Sequence, residues 1–178
     1  METFEKQHQA AGLVVDLVSS RLGGDQGVHP ETAITSAARL AGCMLLRSFQ
    51  FDLEAHEPGS ILLSPEANER GPHLINVLGT MLTNFGIALD QSKFGADKGE
   101  ESNLSYLEAM DIFQNEALGI LKSSQLDYEK GAEAIAMATA FIVKECSKNI
   151  GAETGFNAAV YGFIEGSKTI PPLPSVES

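Results

Sequence analysis

Cysteine is scarce in this chain, and the two present, Cys43 and Cys146, lie far apart in segments that both read as helical. They have neither the density of a disulfide framework nor the close spacing of a zinc site, and a reducing cytoplasm is the expected setting. Basic residues are also few. Twelve Lys and Arg face twenty-four Asp and Glu, for a net charge of -12. Residues 1–50 hold five acids (Glu2, Glu5, Asp16, Asp25, Glu31) and four bases (Lys6, Arg21, Arg39, Arg47), net -1, so the remainder carries -11. A field of that sign repels phosphate backbones and anionic headgroups, which argues against nucleic acid or membrane as partner and favours a basic protein.

Other absences narrow the reading further. No segment of useful length alternates apolar and polar residues as a half-buried strand would. The chain has no glycine-rich phosphate loop after a strand, no Gly-x-Ser-x-Gly elbow and no His-Glu-x-x-His pair. The opening Met-Glu-Thr-Phe-Glu lacks the basic region and apolar run of a secretion signal.

The residues present are those of a globular protein, 43% hydrophobic and 20% charged over 178 positions, enough for one domain with its own core. Helical periodicity recurs in six segments, which predicts an all-α, single-domain bundle over 1–170 and a Pro-containing tail over 171–178. Thr3 is the expected cap of a helix over 3–22, with the stripe Phe4, His8, Ala11, Val15, Val18 and Leu22 facing inward. Pro30 should open a second helix carrying Ile34, Ala41 and Phe49. An irregular connection is expected over 52–71, its Ile61-Leu62-Leu63 run docked on the core, followed by a third helix from Pro72 to about Leu89. That third helix has no charge from Gly71 to Leu89. Its His, Asn, Thr and Gly residues leave it too polar for a bilayer, so a central buried helix or a subunit interface is expected. Ser105 and Glu108 have capping-box spacing before the fourth helix. The fifth spans about 127–149. The sixth, about 153–167, divides into a large edge (Phe156, Val160, Phe163, Ile164) and a small edge (Gly155, Ala159, Gly162, Gly166).

Three groups of residues could carry chemistry. Cys43 lies one helical turn from both Arg39 and Arg47, cations able to lower a thiol pKa, and is the candidate reactive thiol. Glu5 and His8 have the Glu-x-x-His spacing of a dinuclear metal site, but no second copy exists; no metal and no cofactor is expected. The connection and the helix after it hold polar residues on structured turns, and Arg47, His56, Glu69, Arg70, His73 and Asn76 are the candidate ligand-binding set. The uncharged stripe His73, Asn76, Thr80, Thr83 predicts a covered face, since solvent-facing helices usually carry Lys and Glu. The leading expectation is a non-catalytic helical interaction or ligand-binding protein, homodimeric, with a basic protein as a possible partner. An enzyme or metal-binding protein with its site at 54–73 is the first alternative. A small-molecule sensor with a pocket between the second, third and fifth helices is the other.

Overall fold

The computed structural model describes residues 2–175. All but the last of its α-helices begin where a side chain can take up free first-turn N–H groups. Glu2, one residue before the expected Thr3, caps α1 (Thr3–Leu22), and its own N–H is bonded to the Glu5 carboxylate at 3.3 Å. α2 (Pro30–Ser48) starts on Pro30, with His29 Nδ1 accepting from the Thr32 N–H. Ser105 and Glu108 form the reciprocal box that opens α4 (Tyr106–Ser123). Asp127 caps α5 (Tyr128–Ile150), and Gly151 at φ 86° turns the chain into α6 (Ala152–Ser167).

The third helix departs from the sequence expectation at both ends, because α3 runs from Pro65 to Asn84. Ser64 accepts from the Ala67 N–H, Pro65 takes the first position and Glu66 the first turn, which together form a full start signal. Pro72 therefore lies inside the helix rather than at its start. Both Pro72 and Asn68, whose carbonyl it leaves free, are exposed, so water can take the lost bond. At the other end Gly86, at φ 84°, lets the Ile87 N–H reach back to the Leu82 carbonyl at 3.0 Å and closes the helix five residues early. The irregular connection is thus shortened, and it holds a 3-10 turn at Leu53–Ala55.

The result, among the described residues, is an all-α bundle of six helices. Among the described residues no helix is long and apolar enough to cross a membrane. One apolar core draws on all six helices. Its axis is α2, not α3: Glu31 to Ile34 and Ser36 to Leu46 are all buried, whereas α3 buries only Ala67, Leu74, Leu78 and Leu82. Small residues (Ala33, Ser36, Ala37, Ala38, Ala41, Gly42) make all-round burial possible by letting neighbours approach on every side. α1 is rotated from its expected face, since Gln7, Ala10, Ala11, Val14, Leu17 and Val18 are buried while Phe4 and His8 are exposed. His8 is accordingly no core histidine; it packs on Phe4 with ring centroids 4.3 Å apart. Gln7 earns burial by hydrogen bonding to Glu133 at 2.7 Å and to the Lys130 carbonyl.

The tightest contact joins α2 and α6. A Cβ on Gly42 would sit 2.5 Å from the Phe163 carbonyl oxygen and 2.7 Å from the Ser167 nitrogen, and one on Gly166 would strike the Arg39 carbonyl. Both obstacles are backbone, which cannot swing aside. Gly42→Ala should lower the unfolding free energy by about 2 kcal/mol despite its better helix propensity, whereas Gly12→Ala, with open space around the new methyl, should raise it by roughly 0.5–1 kcal/mol. Urea titration of the two variants measures both signs.

Candidate functional site

The six candidate ligand-binding residues do not converge. Arg47, at the end of α2, donates from Nη2 to Gln114 Oε1 on α4 at 2.6 Å. His56 lies in a shallow hollow with Phe51, Asp52, Leu63, Pro65 and Glu66. His73 reaches from α3 to Glu133 on α5, Nε2 to Oε1 at 3.0 Å. Glu69 and Arg70 are exposed, and Asn76 lines a separate groove with Thr80, Thr83 and Phe94. The stripe His73, Asn76, Thr80, Thr83 is exposed, so the chain's own helices do not cover it.

Cys43 occupies a buried polar seam between α2, α4 and α6. Burial pushes its thiol up, and the neighbouring Arg47 charge and hydrogen bonding from Arg47 and Tyr106 only partly offset that. The Tyr106 hydroxyl is raised as well, chiefly by burial, and bonds to the Thr169 carbonyl at 3.3 Å. Arg39 pairs with Glu165 and also donates to the Leu104 carbonyl at 2.9 Å. Gln114 accepts from Arg47 and donates to the Pro172 carbonyl at 2.9 Å, tying the segment after α6 to α4. Arginines that could activate a thiolate are thus committed to Gln114, Glu165 and a backbone carbonyl.

His29, Glu31 and Glu100 bring potential ligand atoms within 4.8 Å of one another. Each is already used. His29 Nδ1 accepts the Thr32 N–H, which leaves Nε2 as the donor to Glu100 at 3.0 Å, and Glu31 accepts the Glu100 N–H at 2.9 Å. This cluster fastens the loop before α4 onto the start of α2. Asn157 holds the same loop from α6 by bonding Gly95, Lys93 and Asp97.

Two apolar grooves stand out among the described residues. One, about 430 Å³, lies between α1, α3 and α5 and is lined by His8, Val15, Met81, Phe85, Met137 and Phe141; α2, enclosed by its neighbours, contributes no residue to it. The other, about 680 Å³, lies between the start of α4, the end of α6 and the segment after Gly59. Ile61 is 76% exposed, Leu63 74%, Tyr161 60%, Ile164 47% and Leu107 39%, and all five line it. The Ile61-Leu62-Leu63 run thus does not dock on the core as expected, and Ile164 does not belong to the buried edge of α6. Backbone pairing with residues 168–170 holds the first outward. The close approach of Gly162 and Gly166 to α2 turns Ile164 and Tyr161 to the surface.

Compared with known proteins, the chain matches no family model, no curated protein and no solved structure. The groove residues escaped the sequence reading, although the α6 pattern held a usable signal. When one edge of a helix is nearly all Gly and Ala, that edge takes the closest approach and the bulky flank is left outside.

Burial and raised pKa values set an expected thiol behaviour. Cys146, half-buried and beside Glu31 and Glu145, is raised to about 11 by burial first and those charges second. Both thiols hold their protons more tightly folded than unfolded. Stability should therefore be flat through neutral pH and fall as pH rises above the unfolded thiol value of about 8.5. Iodoacetamide labelling of the native protein at pH 7 should leave Cys43 unmodified until denaturant is added, followed by mass spectrometry; native labelling faster than a model thiol would show an activated Cys43.

Proposed function

We propose that the chain is a non-catalytic helical interaction protein of the cytoplasm that takes up an apolar, positively charged segment of a partner protein in the groove between α4, α6 and the segment after Gly59. The observation that carries this reading is the gathering of five exposed large apolar side chains on one groove of a chain with net charge -12. Contiguous apolar patches on soluble proteins mark sites of contact far more often than scattered exposed residues do. Charge supports the same kind of partner. Residues 51–70 carry Asp52, Glu54, Glu57, Glu66 and Glu69 against Arg70 alone, and Asp52 and Glu66 line the hollow that shares Leu63 with the groove. Beyond the opposed charges of Glu165 and Lys168 in the groove itself, a net anionic stretch would thus draw in a cationic segment. Two well-separated free cysteines suit a reducing compartment.

Two synthetic peptides of equal composition and net positive charge test this: one alternates lysine and valine, the other places the same residues at helical spacing. Titration of ¹⁵N-labelled protein with either one should shift the amides of Ile61, Leu63, Leu107, Tyr161 and Ile164, with affinity falling as salt rises. Shifts spread over the acidic surface without these residues would overturn the reading.

A second reading rests on α3. Copies of a strongly anionic chain repel, so self-association needs an uncharged face, and the exposed side of α3 offers one at His73, Asn76, Thr80 and Thr83. Sedimentation should show a dimer for the wild type and a monomer for Thr80→Glu, which sets like charges across the two-fold axis. A wild type that sediments as a monomer at every loading concentration would remove the dimer.

A further inference from the structure

Residues 59–62 and 168–170 form a short antiparallel ribbon. Gly59 N–H bonds to the Ile170 carbonyl at 2.8 Å, Ile170 N–H to the Ser60 carbonyl at 2.9 Å and Leu62 N–H to the Lys168 carbonyl at 2.8 Å, with Ile61 opposite Thr169. Pairing of this kind alternates along a strand: the Ser60 C=O and the Leu62 N–H turn toward 168–170, the Ser60 N–H closes a turn onto the Glu57 carbonyl, and Ile61 opposite Thr169 turns its own N–H and C=O away. Neither of those two groups has a hydrogen-bond partner among the described residues, and the same holds for Leu63 two positions on. The ribbon therefore has a free edge, and the two residues on that edge are the most exposed large apolar side chains of the groove.

Free strand edges are templates for a further strand, and natural proteins ordinarily blunt them with charge, Pro or a covering element. This edge carries Ile and Leu instead. Resting on the groove reading above, we infer that the 61–63 edge binds its partner by strand addition: an extended segment alternating apolar and Lys or Arg residues pairs with the Ile61 and Leu63 backbone. Alternate apolar side chains of that segment enter the groove against Leu107, Tyr161 and Ile164. Its basic side chains, on the opposite face, meet the acids of 51–70. A helical ligand would fill the groove and leave the edge unpaired. A second copy of this chain would set two stretches of five acids and one base beside each other, which like-charge repulsion opposes.

Ile61→Pro is the informative variant, because proline removes an N–H that the ribbon does not use. Retention of the ribbon is checked by slow exchange of the Leu62 and Ile170 amides. The alternating lysine–valine peptide should bind Ile61→Pro about tenfold more weakly than wild type, and Ile61→Val nearly as well as wild type. A second measurement uses only wild-type protein. Two complementary peptides, N-methylated either at every lysine or at every valine, should differ strongly in affinity, since only one set of N–H groups faces the edge.

The inference is overturned if the two N-methylated peptides bind alike, if Ile61→Pro with an intact ribbon binds like wild type, or if only the helical isomer binds. In each of those cases the groove reading stands. If neither peptide shifts the groove amides, both fall. If wild type self-associates and Ile61→Pro abolishes it, the edge serves a second copy and the partner-segment inference is wrong.

Discussion

Everything in this fold depends on how closely α2 and α6 approach. Gly42, Gly162 and Gly166 leave no room for a methyl group between the two backbones, and that contact fixes α6 in rotation and depth. Burial of α2 on all sides follows, because a helix of small residues can be surrounded where one of large residues can be covered only in part. With α2 enclosed, the other helices are arranged around it and their outer faces are decided by default. Phe163 is turned into the core, whereas Tyr161 and Ile164 are left on the surface. The groove is thus a by-product of core geometry.

The seam of Arg39, Cys43, Arg47, Tyr106 and Gln114 shows the other side of that constraint. Two arginines on the most buried helix need partners, and Gln114, Glu165 and the Leu104 carbonyl supply them. Buried charges left unpaired would cost several kcal/mol each. Arg47 remains incompletely satisfied, its Nε buried without a partner among the described residues.

Helix number and class were legible in the sequence, and so were two helix starts, since Pro30 and the Ser105–Glu108 box state their roles through local chemistry; the caps Glu2 and Ser64 were passed over for Thr3 and Pro72. What periodicity could not supply was the rotation of each helix. Phe4 and His8 fit the apolar spacing of α1 as well as Gln7 and Ala10 do, and the partners that satisfy a buried Gln7, Glu133 and the Lys130 carbonyl on α5, lie far away in sequence. Pro72 drew the start of α3 to itself because an interior proline is costly in general; the cost disappears where the freed carbonyl faces water. The candidate set Arg47, His56, Glu69, Arg70, His73 and Asn76 was chosen by residue type, and type carries no information about convergence. The groove is built from side chains far apart in sequence, Ile61 and Ile164 among them, which no local pattern connects.

The ribbon that borders the groove joins residues separated by more than half the chain. Closing so long a loop costs entropy that only a docked α6 can offset, because 168–170 lie immediately beyond it. The edge therefore does not exist in any partly folded form that lacks α6. Competence to engage a strand thus acts as a report on completed folding: the bundle must be fully assembled before its recognition surface appears, and an immature chain is silent toward a segment that the finished one would bind.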